Sequence, residues 1–217
     1  MSDRTLPNVN SQKHSAGISG SGIVGLRIFS LEDINLPSST VLLSGGIDSS
    51  ACLQFLLDRH HDVAAIFIDY GQAAAEREIQ AAGFMAKHFD VPLSTISVTG
   101  GRPFSSGELP GRNAFLIASA LFFGASQQNF IVIGLHAGTP YYDCSLAFID
   151  RMGTVVAEHT NGTCALLAPF KEWTKSQIAE YVVSCKLPHD KTYSCEAGTT
   201  PVCGQCLSCL DRKAIGW

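Results

Sequence analysis

Ten residues, Val41–Ser50 (VLLSGGIDSS), constrain this chain more than any others. Val41, Leu42 and Leu43 are apolar and β-prone and read as the end of a buried strand. Ser44, Gly45 and Gly46 turn the chain, and from Asp48 a helix follows, with Ala51, Cys52, Phe55 and Leu56 at helical spacing. A strand that feeds a glycine-rich turn into a helix N-terminus makes a seat for phosphate. Glycine lets backbone N–H groups approach the anion, and the helix dipole favours negative charge there. Ser44 and Ser49 add hydroxyl donors. Asp48 would repel a bare phosphate but makes sense as a magnesium ligand. The alternative is a strand-to-helix turn that holds no ligand.

The loop lacks the Gly-Lys-Ser/Thr ending of a P-loop, and with it the lysine that reaches terminal phosphates. SGGIDS instead resembles the pyrophosphate loop of the N-type ATP pyrophosphatases. These cut ATP between the α and β phosphates and pass AMP to an acid or amide.

A chain of 217 residues is long enough for one domain with attachments and a sizeable core. Its 15 basic and 19 acidic residues give a net charge of −4, which argues against a broad nucleic-acid footprint. No apolar run reaches the ~20 residues that span a bilayer. The polar N-terminus does not read as a signal peptide, so the expected location is cytoplasmic.

Residues 1–39 are expected to be an N-terminal arm, partly flexible, with Gly22–Phe29 as a short edge strand. Val63–Ile68 is a continuous apolar run that suits a parallel strand covered on both faces. It ends in Asp69-Tyr70-Gly71-Gln72, where open α/β sheets bind ligands; Asp69 as a mere turn residue is an equal reading. A helix is expected over Ala73–His88 and a third strand over Pro92–Val98. Arg112 opens an apolar helix, Ala114–Ser126, from a position where a guanidinium reaches phosphate; the alternative is an arginine in solvent. Phe130–Gly134 reads as the fourth strand. Beyond it, Tyr141, Tyr142, Asp143 and Phe148 suit a planar heterocycle, with rings for stacking and Asp143 for paired N–H donors, or else an aromatic lid packed on itself. His136 reads as a hydrogen-bonded loop residue rather than a catalyst. Cys164–Ala168 is the fifth strand. Thr174-Lys175-Ser176-Gln177 matches a capping box, so a helix should run from there to about Cys185. Lys175 in its first turn opposes the helix dipole and calls for something anionic nearby.

Cys195, Cys203, Cys206 and Cys209 have the spacing C-x7-C-x2-C-x2-C. Four thiolates fill a tetrahedral shell and leave no open position, so the expected site is structural zinc, with an iron–sulfur cluster as the alternative. Cys52, Cys164 and Cys185 read as core thiols. Cys144, on the ligand-side loop, is a candidate reactive thiol.

Three signatures stand in one order: SGGIDSS with IDYGQ, then LPGRN, then TYSCEAGTTPVCGQCLSCLDRKAIGW. Together they resemble the 7-cyano-7-deazaguanine synthase (QueC) family over about Thr40 to Trp217. The resemblance implies a parallel five-stranded, Rossmann-like α/β sheet of the ATP pyrophosphatase type, over residues 40–190. A zinc-binding segment follows at 191–217, and the family's members are commonly homodimers. It implies that ATP and Mg2+ adenylate the carboxylate of 7-carboxy-7-deazaguanine. Ammonia then gives an amide, and a second ATP takes the amide to the nitrile.

Carried onto this chain, the resemblance makes Ser44, Asp48, Arg112 and Lys175 catalytic. It places ATP on Leu43, Ser44, Gly45, Gly46, Ile47, Asp48, Ser49, Ile68 and Arg112. The acid is assigned to Asp69, Tyr70, Gln72, Tyr142, Asp143 and Phe148, and Zn2+ to the four clustered cysteines. Ala73-Ala74 stand where the family usually has Arg-His, and Ser145 and Ala147 replace an arginine and a glutamate. Divergent relatives occur in antiphage defence operons, including CBASS systems. A relative of that kind would join the deazaguanine to a protein amine, and a non-catalytic nucleotide-binding module is the further alternative.

Overall fold

A computed structural model describes residues 36–100, 104 and 107–217. The expected arm and the edge strand Gly22–Phe29 lie outside the described residues. Leu36–Trp217 forms one compact unit. Its strands are β1 (Ser38–Leu42), β2 (Asp62–Asp69), β3 (Leu93–Ser97), β4 (Phe130–Val132) and β5 (Ala165–Leu167). They form one sheet in the order β3-β2-β1-β4-β5, with every neighbouring pair parallel. The six α-helices of the described residues are α1 (Ile47–Leu57), α2 (Ala75–His88), α3 (Arg112–Phe122), α4 (Leu146–His159), α5 (Lys175–Ser184) and α6 (Leu207–Ala214).

The two-residue period of a strand explains why both faces are covered. Val41, Leu43, Ala65, Phe67 and Val132 point to one side, where α1, α2 and α5 pack. Leu42, Ile66, Ile68, Ile131 and Ile133 point to the other, where Ile117 of α3 and Phe148 and Val156 of α4 meet them. Each such large side chain, fully buried, contributes about 1.5–3 kcal/mol.

The apolar helix expected to run to Ser126 stops at Phe122. Gly124 has φ +119°, which ends the right-handed helix, and Ala125–Gln127 forms a separate 3-10 turn. Helix α6 begins inside the cysteine motif and carries Cys209, where spacing alone reads as metal-binding turns. The capping box is present: Thr174 Oγ1 accepts from Gln177 N, and Thr174 N donates to Gln177 Oε1 at 2.8 Å. Behind it, Phe170, Trp173 and Tyr181 pack on Phe55 of α1 with ring centroids 5.3–6.5 Å apart. This aromatic cluster fixes where α5 begins, and so where Lys175 points.

Candidate active site

From β1 the chain steps to β2 and β3 on one side, and β4 and β5 lie on the other, so the β1/β4 boundary is the topological switch point. The glycine-rich loop emerges there. Gly45 takes φ +77°, and a Cβ on it would lie 2.6 Å from Ala82 N of α2, so no other residue fits. Gly46 is the N-cap of α1 and no side chain caps that helix. Its first N–H groups are therefore left for an anion. The Ser44 and Ser49 hydroxyls lie 3.2 Å apart across the loop. Past β4, Gly134 lies so close that a Cβ would be 2.7 Å from Ser49 N.

A cleft of about 640 Å³ opens beside the loop, lined by Leu43, Ser44, Ser49, Ile68, Tyr70 and Arg112 among others. It meets a polar chamber of about 730 Å³ that holds Asp48 and Lys175, with Arg112 and Glu78 common to both. An apolar recess on the other side of Arg112 is walled by Tyr70, Phe104, Pro110 and Phe115. Tyr70 meets Phe104 and Phe115 edge-on at 5.7 and 6.1 Å. Arg112 owes its place to Gly111, whose φ of +82° starts α3.

Lys175 Nζ contacts Asp48 Oδ1 at 2.8 Å and Oδ2 at 2.7 Å. The anion that a first-turn lysine calls for is thus a carboxylate of the phosphate loop itself. Glu78 accepts from Gln72 Nε2 at 2.9 Å. Burial pushes the Glu78 carboxyl above its ordinary range, against the pull of Gln72 and the Arg112 guanidinium. Burial likewise raises the Tyr70 phenol, and Arg112 opposes it.

The structure brings Leu43, Ser44, Asp48, Ser49, Ile68, Tyr70, Gln72, Arg112 and Lys175 to these connected cavities. Gly45 and Gly46 shape the loop, and Ile47 is buried in the core under it. Asp69 accepts from Gly71 N at 3.0 Å, the bond of a turn residue. Gln72 is engaged at both ends, accepting from Tyr70 N and donating to Ile68 O and Glu78. Asp143 is buried and accepts from Asn113 N at 3.2 Å, which secures the start of α3. Phe148 lies in the core and meets Tyr142 edge-on at 5.9 Å, and Tyr142 accepts from Arg151 at 2.6 Å. Tyr142 and Phe148 pack on each other, Asp143 bonds α3, and none of the three lines the cleft beside the loop. Cys144 lines the polar chamber, and burial with the neighbouring Asp143 pushes its thiol up to about 11, against the pull of Arg112 and Asn113.

Residues that sequence reasoning missed include Glu78, Ser194 and Glu196. Glu196 accepts from Gly107 N, Ser208 N and Ser208 Oγ, and so joins the loop before Arg112 to the start of α6. It follows Cys195 directly, and the cysteine motif hides it. The same segment buttresses the phosphate loop: Tyr193 N donates to Gly45 O at 3.0 Å. Ser194 Oγ would lie 3.6 Å from a Cβ on Gly46.

The four sulfurs of Cys195, Cys203, Cys206 and Cys209 all lie within 4.8 Å of one another. A tetrahedral ion with metal–sulfur bonds of about 2.3 Å sets its sulfurs about 3.8 Å apart. Cys203 Sγ and Cys209 Sγ are 3.9 Å apart, so the cluster fits a single metal ion. A [4Fe–4S] cluster gives each thiolate its own iron and a [2Fe–2S] cluster places two thiolates on each of two irons, and both spread the sulfurs wider than a single ion does. On protein contacts alone the thiols differ. Burial raises Cys209 to about 12, whereas N–H groups of Cys203 and Ala197 overcome burial and draw Cys195 down to about 6. A bound cation would favour the thiolate form at all four.

A parallel sheet that delivers a glycine-rich loop and an uncapped helix to its switch point, backed by a four-cysteine segment, defines a fold of the ATP pyrophosphatase type. The sequence profile of the family described as "Queuosine biosynthesis protein QueC" matches residues 38–102 and 101–215, and the chain belongs to that family. A 7-cyano-7-deazaguanine synthase of Aquifex aeolicus is 33% identical over 205 residues, 80% of this chain and 93% of that protein. One of Prochlorococcus marinus is 30% identical over 208 residues, 82% of this chain and 92% of that protein. Among solved structures, a "predicted subunit of tRNA methyltransferase" from Methanocaldococcus jannaschii superposes with TM-score 0.48 at 14% identity, covering 69% of this chain and 76% of that one. Among the described residues, no helix is long and apolar enough to cross a membrane.

Proposed function

We propose that the protein is an ATP-dependent carbon–nitrogen ligase of the 7-cyano-7-deazaguanine synthase kind. It adenylates the carboxylate of 7-carboxy-7-deazaguanine, forms an amide or nitrile, and releases AMP and pyrophosphate. The observation that carries this reading is the convergence of Ser44, Ser49, Asp48, Lys175 and Arg112 on one connected cleft at the end of β1. The loop N–H groups and hydroxyls bind the departing pyrophosphate. Arg112 stabilises charge that develops on the α-phosphate. Mg2+ would be held at Asp48, where it offsets charge on the leaving group. Both Asp48 oxygens are engaged by Lys175, so metal binding there requires the lysine to turn toward phosphate. The apolar recess beside Tyr70 suits a planar deazapurine next to Arg112, with Asp143 and Phe148 supporting that end of α3 from behind. Zn2+ fills the four-cysteine site and carries no chemistry. Homodimer formation belongs to the same reading and is checked by light scattering.

Incubation with ATP, Mg2+, ammonia and the acid is expected to yield AMP and pyrophosphate, and ADP with phosphate would rule the mechanism out. A second reading is an amide to a larger amine, such as a protein N-terminus. It is favoured by Ala147, which is exposed and uncharged, and by Ser145, whose hydroxyl is occupied in capping α4 by accepting from Phe148 N at 3.2 Å. Mass spectrometry of small-molecule and protein products separates the two.

A further inference from the structure

His136 stands two residues past Gly134, whose missing side chain lets the end of β4 lie on the backbone of Asp48 and Ser49. It reaches the polar chamber that also holds Asp48, Lys175 and Arg112. Its ring is fixed, because Nδ1 lies 2.7 Å from the carbonyl oxygen of Ala137. A carbonyl only accepts, so Nδ1 carries the hydrogen, and in the neutral ring Nε2 keeps its lone pair. Ala137 is itself tied down, its N–H donating to Trp173 O at 2.8 Å. Asp211 Oδ2 of α6 lies 3.9 Å from Nε2. That is too far for a hydrogen bond, so among the described residues no protein acceptor or donor occupies Nε2. The side chain of His136 is only 11% exposed, so water competes little for that nitrogen.

An amine that attacks an acyl adenylate must first lose a proton, since unperturbed amino groups are largely protonated near neutral pH. From this geometry we infer that His136 is the general base for the acceptor amine, with the Ala137 carbonyl holding its ring in place. The inference rests on the adenylating reading above. Nε2 takes one proton from the ammonium or primary ammonium group. The freed lone pair forms a C–N bond at the carbonyl carbon of the adenylate. The C–O bond to AMP breaks, AMP leaves with the electron pair, and the surplus proton on the new amide nitrogen passes to solvent.

The test uses the full chain and two half-reactions. His136→Asn retains an amide N–H where Nδ1 was, able to bond Ala137 O, but has nothing in place of Nε2. Exchange of labelled pyrophosphate into ATP, dependent on 7-carboxy-7-deazaguanine, reads adenylation alone. It is expected to stay within about threefold of the unaltered protein, while ammonia-dependent amide formation falls about 10²-fold or more. Hydroxylamine, a weak base already unprotonated at neutral pH, needs no proton removed, so hydroxamate formation should be nearly unchanged in the variant. Equal loss of exchange and amide formation would place His136 in adenylation and overturn the inference, as would unchanged amide formation. If the unaltered protein shows neither exchange nor hydroxamate, the adenylating reading itself fails, and the inference with it.

Discussion

Lys175 Nζ sits between the two carboxylate oxygens of Asp48, 2.8 and 2.7 Å away, across 127 residues of sequence. The contact ties the first turn of α5 to the first turn of α1. The side chains are 17% and 23% exposed, so solvent screens the pair. A double-mutant cycle with Asp48→Asn and Lys175→Met should give a coupling in unfolding of about 1 kcal/mol, well short of the 3–5 kcal/mol cost of breaking a sealed pair. Activity should respond far more. At saturating ATP and magnesium, Asp48→Ala should lower AMP formation on the order of 10²-fold, with fold and metal content intact. Near-normal turnover would mean the magnesium is held elsewhere.

Removing a sulfur should act at a distance. Cys203→Ser or Cys206→Ser should release the metal, because a structural site's binding energy is also folding energy. Tyr193 and Ser194, next to Cys195, brace Gly45 and Gly46, so ATP turnover should be lost along with the metal. Elemental analysis and AMP release on the same samples check this; a variant free of metal but fully active would sever the proposed link.

Gly134 offers a sharper structural test. A Cβ there would lie 2.7 Å from Ser49 N and 2.8 Å from the Asp48 carbonyl carbon, both backbone atoms that cannot swing aside. Gly134→Ala should cost about 1–3 kcal/mol in urea unfolding, as overpacking does. It should also raise the KM for ATP. Gly153 of α4 has nothing within 4 Å of its Cβ position, and Gly153→Ala should leave ATP use unchanged and stabilise by up to about 1 kcal/mol.

Glu78 gives a prediction with a pH sign. Burial holds its folded-state pKa above the unfolded value, so the native state binds the proton more tightly. Any stability it contributes is present below its unfolded value and is lost as pH rises through the folded one. Glu78→Gln keeps an oxygen for Gln72 Nε2 and removes the buried charge. The variant's melting temperature should therefore gain on the parent as pH climbs through that window and hold the gain above it. A gap that narrows with rising pH would contradict the burial account.

How much of this was legible beforehand depended on range. The sheet could be read because Val41–Leu43 and Val63–Ile68 carry their periodicity locally. The phosphate loop could be read because glycine at Gly45, with φ +77°, answers a local backbone demand. Pairing was harder. That Lys175 needed an anion followed from the helix dipole, but nothing in the sequence says the anion is Asp48. Asp143 and Phe148 looked like ligands because aromatics beside a carboxylate suit a heterocycle equally well, and only packing shows that Asp143 instead bonds the start of α3. Glu196 and α6 stayed hidden because a cysteine motif dominates its neighbours, and three hydrogen bonds to Gly107 and Ser208 leave no mark on spacing.

The hydrogen bond from Tyr193 N to Gly45 O also sets an order of events during translation. The ribosome makes the loop early, while Tyr193 and the cysteines emerge only after the whole sheet has been made. A nascent chain therefore carries the loop's sequence without the strap that shapes it. With a metal at the four cysteines, as proposed, capture of that ion would complete the strap last.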